Sequence, residues 1–304
     1  MKRKPMQHIT LVHNPKAGDE EHSKRELKNL VEENGFECSY LSTKDKDWKE
    51  FKSNTDILMI AGGDGTVRKV TKELLLQKKL LEHIWPIALL PVGTANNIAK
   101  TLGVEGTSEE IISSLRQAEP KKFDVGKVSH VNNTEFFLES LGYGIFPYLM
   151  QEMKSIESKD DTPDQALKKA MKKLLEIIDS YHPRGCELEI DGEDHSGTYL
   201  LAEIMNTKSI GPNLFLAPDG DPGDGEFDVV LIPEADKEKF SDYVKQKLNG
   251  EEINYDFHSV RAKKVKMSWQ GTHVHVDDEI IKLEESAEVE AEIKPALLEF
   301  LLPK

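Results

Sequence analysis

The residues best suited to chemistry form a short glycine-rich run, Gly62-Gly63-Asp64-Gly65-Thr66. It follows the apolar stretch 57–61 and precedes Val67, Val70, Thr71, Leu74 and Leu75, which recur at helical spacing. Glycines at such a strand-to-helix junction let backbone N–H groups approach an anion. The helix start adds about half a positive charge. Arg68 and Lys69, in the first helical turn, oppose that dipole by roughly 0.3–1 kcal/mol each, a penalty that an anionic ligand reverses. The run therefore reads as a phosphate cradle. Asp64 does not favour a bare phosphate and asks for a cation such as Mg²⁺ between the two. The competing reading is a tight turn, which needs the glycines but not the aspartate.

Two further loops follow predicted strands in the same way. Asn14-Pro15-Lys16-Ala17-Gly18 offers a lysine and a glycine, and Gly93-Thr94-Ala95-Asn96-Asn97 offers a hydroxyl and two amides ahead of a helix. Each alone reads equally well as a helix cap. Together they converge on the carboxyl ends of parallel strands, where open α/β sheets bind ligands. The P-loop, dinucleotide-fold, zincin, nucleophile-elbow and C-x-x-C patterns are all absent. Further along, Asp219, Asp221, Asp224 and Glu226 lie among glycines, a source of oxygen ligands for a hard cation or a solvated acidic turn. Asp277-Asp278-Glu279 is a second acidic turn. His273 and His275 alternate just before it, either as metal ligands with Asp277 or, the reading preferred here, as part of a polar solvent face.

The elements that must position these residues change character along the chain. Up to about residue 125, strand, glycine-bearing loop and helix repeat three times, with a capping box at Ser23 and Glu26 and a stop at Asn34-Gly35. This grammar predicts a doubly wound α/β domain. Beyond it, strands are predicted at 123–128, 134–140, 187–190, 198–205, 227–232 and 260–269. Asn132-Asn133 and Asp191-Gly192 serve as turns, residues 151–165 as a polar loop and 166–180 as a helix. That is a mostly antiparallel β domain. Residues 297–302 form a last apolar strand. The 304 residues carry 40 Lys and Arg against 55 Asp and Glu, a net charge of −15, which excludes a general nucleic-acid coat. No apolar run reaches the roughly 18 residues of a membrane span. Two cysteines without metal spacing predict a reduced, cytoplasmic protein.

With these motifs in order, the chain resembles the diacylglycerol kinase catalytic-domain family, in the soluble bacterial branch of lipid kinases related to sphingosine kinases. Asn14–Gly18, Gly62–Thr66, Leu90-Pro-Val-Gly-Thr-Ala-Asn96 and Ala217–Gly225 carry the resemblance. It implies an ATP-binding α/β domain over 1–127 (doubly wound, NAD kinase/diacylglycerol kinase-like), with 296–304 returning to it as a final strand. A β-rich lipid-substrate domain would span 128–295. Carried over by position, ATP contacts Asn14, Pro15, Lys16, Ala17, Gly18, Thr43, Gly63, Asp64, Gly65, Thr66, Val67, Arg68, Lys69 and Thr94. The resemblance also implies a structural Mg²⁺ at Asp221, Asp224 and Glu226, with Asp224 giving its carboxylate and the flanking pair their backbone carbonyls. The resemblance makes Glu279 the general base and counts Asp64 among the catalytic residues. Three departures stand out: Lys69 where the family usually has Glu, Asn97 where Asp is common, and Asp278 in place of a turn glycine.

The resemblance makes the protein an ATP-dependent lipid kinase acting on diacylglycerol or a similar long-chain alcohol. The alternatives are a soluble-substrate kinase of the NAD kinase type and a nucleotide-binding relative that has lost catalysis. A lipid substrate implies peripheral contact with a membrane. Lys168, Lys169, Lys172 and Lys173 beside the apolar face Leu167, Ala170, Met171, Leu174, Leu175 and Ile178 offer a basic amphipathic helix for it, or a surface helix packed on the second domain.

Overall fold

The computed structural model describes residues 7–17, 23–51, 53–76, 85–131, 134–156, 161–253 and 255–304. Two compact units emerge, one of residues 1–123 with 296–304 and one of residues 124–295. Gly18 and the Asn132-Asn133 turn lie outside the described residues.

The first unit is built on parallel strands. β1 (His8–His13) pairs with β2 (Glu37–Ser42) and β3 (Ile57–Gly62), and β3 pairs with β4 (Ile87–Pro91), all parallel. Every residue of β1 and β3 is buried, as a strand covered on both faces requires. The helix Lys24–Glu33 starts on the Ser23/Glu26 capping box, buries Leu27 and Val31, and ends before Gly35 at φ 78°. The end of the chain completes the sheet: Phe300 of β18 (Glu288–Leu302) lies parallel beside Ile87 of β4. Its ring meets Phe123 at 5.0 Å between centroids.

The second unit is antiparallel, as the sequence implies. Its strands include β5 (Glu119–Ser129), β6 (Phe136–Phe137), β7 (Ser140–Gly144), β8 (Arg184–Ile190), β9 (Glu193–Asp194), β10 (Gly197–Met205), β13 (Phe227–Pro233), β14 (Ser259–Ala262), β15 (Lys264–Trp269), β16 (His273–Val276) and β17 (Glu279–Lys282). The short β11 (Ser209–Ile210) and β12 (Leu214–Phe215) pair separately. The main order is β17-β16-β7-β10-β8-β15-β18, and β13 joins β10 to β14. Alternation along β13 divides the core: Phe227, Val229 and Leu231 enter one apolar cluster, Val230 and Ile232 the other. Asp191-Gly192, both left-handed at φ 49° and 90°, close the two-residue β8–β9 hairpin.

Several sequence expectations need correction. Residues 151–156 are not loop; they finish the helix Ile145–Ile156, with Met153 buried and the polar residues outward. The expected strand over 134–140 is pairing only at Phe136–Phe137 and from Ser140, because the backbone between is given to a carboxylate described below. Strand 260–269 divides at Lys263, whose N–H donates to the Asp191 carboxylate. The helix Pro163–Ser180 spends its apolar face on the second cluster, through Ala170, Met171, Leu174 and Ile178. Lys168, Lys169 and Lys173 pair with Asp164, Asp161 and Glu176. The face a bilayer would need is therefore core, and only the lysine side is outward. No helix among the described residues is long and apolar enough to cross a membrane.

Phe300 is fully buried, so Phe300→Ala should destabilise the chain by about 3–5 kcal/mol, read as a lower urea midpoint. An unchanged midpoint would show that the terminal strand contributes nothing to its unit.

Candidate active site

In the first unit the loops after β1, β3 and β4 are bound to one another through named atoms. Asn14 donates its main-chain N–H to Ala61 O at 2.9 Å and its Nδ2 to Thr66 Oγ1 at 3.1 Å. Gly63 and Gly93 touch backbone to backbone: a Cβ on Gly93 would lie 2.3 Å from the Gly63 Cα. Asn96, left-handed at φ 53°, folds its own loop, accepting from Gly93 N and donating to Gly93 O and Pro91 O. Lys69 donates to Thr43 O at 3.2 Å and lies 5.1 Å from the Trp48 ring centroid. Asn14, Thr43, Gly63, Asp64, Thr66 and Lys69 are thus gathered at the carboxyl ends of four parallel strands. Pro15, Lys16, Ala17, Gly65 and Thr94 lie on the same loops with at least part of their surface in water.

Three residues of the set are packed or engaged within the unit. Arg68 and Val67 are buried: Arg68 shares the inner helix face with Thr71, whose hydroxyl donates to both their carbonyls. The Asp64 carboxylate is already employed, accepting from Asn97 N at 2.9 Å and Ile98 N at 3.0 Å. It caps the helix Asn97–Thr101 from a distant loop, a charged acceptor at a positive helix end. Withdrawal from water pushes its carboxyl above the ordinary value, and the Ile98 and Asn97 N–H groups offset this only in part. Asp64, which the sequence reading gave to a cation and to catalysis, thus serves here as a helix cap. Asn97 is itself buried, so that departure alters the helix start.

In the second unit the organising group is Asp277. Its carboxylate accepts from three successive backbone N–H groups, Leu138 (3.1 Å), Glu139 (2.8 Å) and Ser140 (3.3 Å). Its own N–H donates to Ser140 O at 2.8 Å. Asp277 is the left-handed residue of the β16–β17 turn, at φ 51°, and Asp278 is not left-handed. Replacing glycine by aspartate at 278 therefore asks nothing unusual of the backbone. Glu279 opens β17 opposite Val276 and is exposed, where a substrate proton could reach it.

His275 overturns its reading. It is 1% exposed and faces the fully buried Glu203, so neither a solvent face nor a metal site with His273 describes it.

The 221–226 loop is tied to the same network. Gly225 N donates to the Asp124 carboxylate at 2.7 Å and Asp124 N to Pro222 O. Asn206 Nδ2 donates to the carbonyls of Asp124 and Leu138. The Asp224 carboxylate is engaged within the chain. One carboxylate oxygen of Asp224 accepts from Glu226 N and the other pairs with Arg261, which also reaches Glu226 at 3.2 Å. Asp221 turns its carboxylate to Gly223 N. Among the described residues no three acidic, histidine or cysteine side chains form a ligand group. The cation of this loop is the guanidinium of Arg261.

Sequence reasoning missed Glu203, Asp124, Asn206 and Arg261. One signal was available: Glu203 stands alone among apolar residues in the run 200–205.

Comparison with known proteins gives the assembly its family. The diacylglycerol kinase catalytic domain matches residues 8–128, and the YegS C-terminal NAD kinase beta sandwich-like domain matches 158–302. The chain carries the diacylglycerol kinase catalytic domain over residues 8–128. It is a lipid kinase. A diacylglycerol kinase of Bacillus subtilis (strain 168) is 28% identical over 280 residues, 86% of each chain. The crystal structure of a diacylglycerol kinase from Bacillus anthracis str. Sterne superposes with a TM-score of 0.73 at 21% identity, covering 99% of this chain and 98% of that one. At that identity the likeness speaks for the fold, an α/β unit followed by a mostly antiparallel β unit.

Asp64→Asn keeps one acceptor and turns an amide NH₂ toward a backbone donor. It should cost about 1–3 kcal/mol, measured by chemical denaturation, and an unchanged stability would show that Asp64 is not a cap. Gly93→Ala should abolish nucleotide binding by forcing the two loops apart, read by calorimetric titration with ATP. Binding at the wild-type affinity would show that the close approach is dispensable.

Proposed function

We propose that this kinase transfers the γ-phosphate of ATP to the hydroxyl of diacylglycerol or a similar long-chain alcohol. The observation that carries the nucleotide half is the backbone contact of Gly63 with Gly93 beside Asn14 and Thr66, at the end of a parallel sheet. Loops locked in this way present N–H groups to phosphate without having to be ordered at the moment of binding. Lys69 places an ammonium at the Thr43 edge of those loops, and Lys16 a second one on the first loop. Phosphoryl transfer asks for positive charge there as the phosphoryl group moves.

Glu279 is the base in this reading. It takes the proton of the lipid hydroxyl as that oxygen bonds to phosphorus and the bond to the ADP oxygen breaks. The products are a phosphomonoester, ADP and the proton on the carboxyl group. A carboxylate on a rigid turn suits the task, and Asp277 holds that turn through three backbone N–H groups. The lipid is met at a membrane surface in this reading.

Labelled γ-phosphate should pass from ATP to diacylglycerol in mixed micelles, and Glu279→Gln should lower the rate by about 10²- to 10⁴-fold with ATP binding retained. Monoacylglycerol, ceramide, sphingosine, NAD and fructose 6-phosphate complete the panel. Transfer to NAD alone would replace the lipid reading by that of a soluble-substrate kinase, and an unaffected Gln variant would remove Glu279 from the chemistry.

A further inference from the structure

Glu203, Gly142 and His275 stand in one row across three adjacent strands. Glu203 of β10 is opposite Gly142 of β7, and Gly142 is opposite His275 of β16. Residues in register on neighbouring strands share a face. The middle member has no side chain, so the outer two meet above it: Glu203 Oε1 lies 2.7 Å from His275 Nε2. A Cβ on Gly142 would stand 2.1 Å from Glu203 Oε2, so only glycine leaves them room. Glu203 is 0% exposed, and among the described residues neither of its oxygens has a hydrogen-bond partner, so its contact with His275 is that of an ion pair.

The second ring nitrogen is occupied too. Nδ1 lies 3.1 Å from the main-chain oxygen of Asp277. A carbonyl oxygen only accepts, so Nδ1 carries hydrogen, and a carboxylate at 2.7 Å from Nε2 asks for a second. The charged groups facing the ring are Glu203 from β10 and Asp277 from the turn. β7 presents Gly142, β17 presents Ile280 opposite it, and the helix Ile145–Ile156 presents the edge of Phe146. Burial alone would push this imidazole down. The Glu203 charge and contact, with help from Asp277, outweigh that and hold it above the ordinary histidine value. Such a pair tolerates no loss of one charge, since the other would be left buried and uncompensated.

We infer that His275 is a buried imidazolium, held by Glu203 across Gly142, and that it is a positioning residue for the base. Its Nδ1–H fixes the Asp277 carbonyl, and with it the turn that ends in Glu279 two residues on. This rests on the reading of Glu279 as base. Because the folded protein holds the proton more tightly, the clamp is intact below the ordinary histidine value. It is lost as pH rises through the elevated one, so the turn loosens on the alkaline side.

The first test needs no activity. With ¹⁵N-labelled histidine, one ring should keep both nitrogens protonated at a pH where exposed histidines are neutral, and Glu203→Gln should remove that signal. The same variant should speed amide exchange of Asp278 and Glu279. A ring that is neutral at pH 7.5, or exchange unchanged in Glu203→Gln, overturns the inference whether or not a lipid acceptor is found. The second test uses the kinase assay. Glu203→Gln and His275→Gln should lower turnover about 10- to 100-fold at unchanged KM for ATP. They should also lose the alkaline fall that wild type shows. Turnover and pH profile matching wild type would likewise overturn it. Absence of transfer by wild type to any acceptor would count against the proposed function and leave the nitrogen and exchange readouts to decide this one.

Discussion

In each unit of this protein one carboxylate is given to backbone N–H groups of a distant segment. Asp64 closes the start of the helix Asn97–Thr101, and Asp277 gathers the N–H groups of Leu138, Glu139 and Ser140. Unpaired backbone donors out of reach of water are costly, and hydrogen bonds to a charged acceptor contribute about 1.5–3 kcal/mol each. Such a carboxylate stiffens two chain segments at once. The glycine-rich loops of the first unit and the Glu279 turn of the second are braced by these two residues. Neither residue needs to touch a reacting atom to be indispensable.

Much of this was legible in the sequence because it is written in local patterns. The buried run 57–61, the glycines after it and the helical spacing of Val67, Val70 and Leu74 define a strand, a loop and a helix without reference to anything distant. The capping box at Ser23 and Glu26 forms as written. The change of grammar near residue 125 marks the passage from a parallel to an antiparallel sheet, and the last apolar run is the strand that brings Phe300 beside β4.

What was not legible depends on partners far apart in the chain. Asp64 reads as a catalytic residue and a partner for a cation, while its carboxylate meets Asn97 and Ile98, more than thirty residues away. Asp224 and Glu226 read as metal ligands until Arg261 arrives from β14 to neutralise them. His275 reads as solvent-facing on a strand of alternating polarity until Glu203, from a strand not adjacent to its own, reaches it over Gly142. In each case spacing identified a charged residue, and its partner came from a distant segment. Linear sequence shows how many charges a segment carries, but pairing is decided by register and loop closure. The helix Pro163–Ser180 illustrates the same limit for apolar residues, since one stripe suits a bilayer or a core and only the neighbouring elements choose.

The central claim is that nucleotide is held by the three interlocked loops of the first unit. Hydrogen exchange of the wild-type chain with and without a non-hydrolysable ATP analogue tests it most directly. The account predicts protection concentrated at residues 14–17, 63–66 and 93–97. Unchanged exchange in those loops at saturating nucleotide, with protection appearing elsewhere, would contradict it.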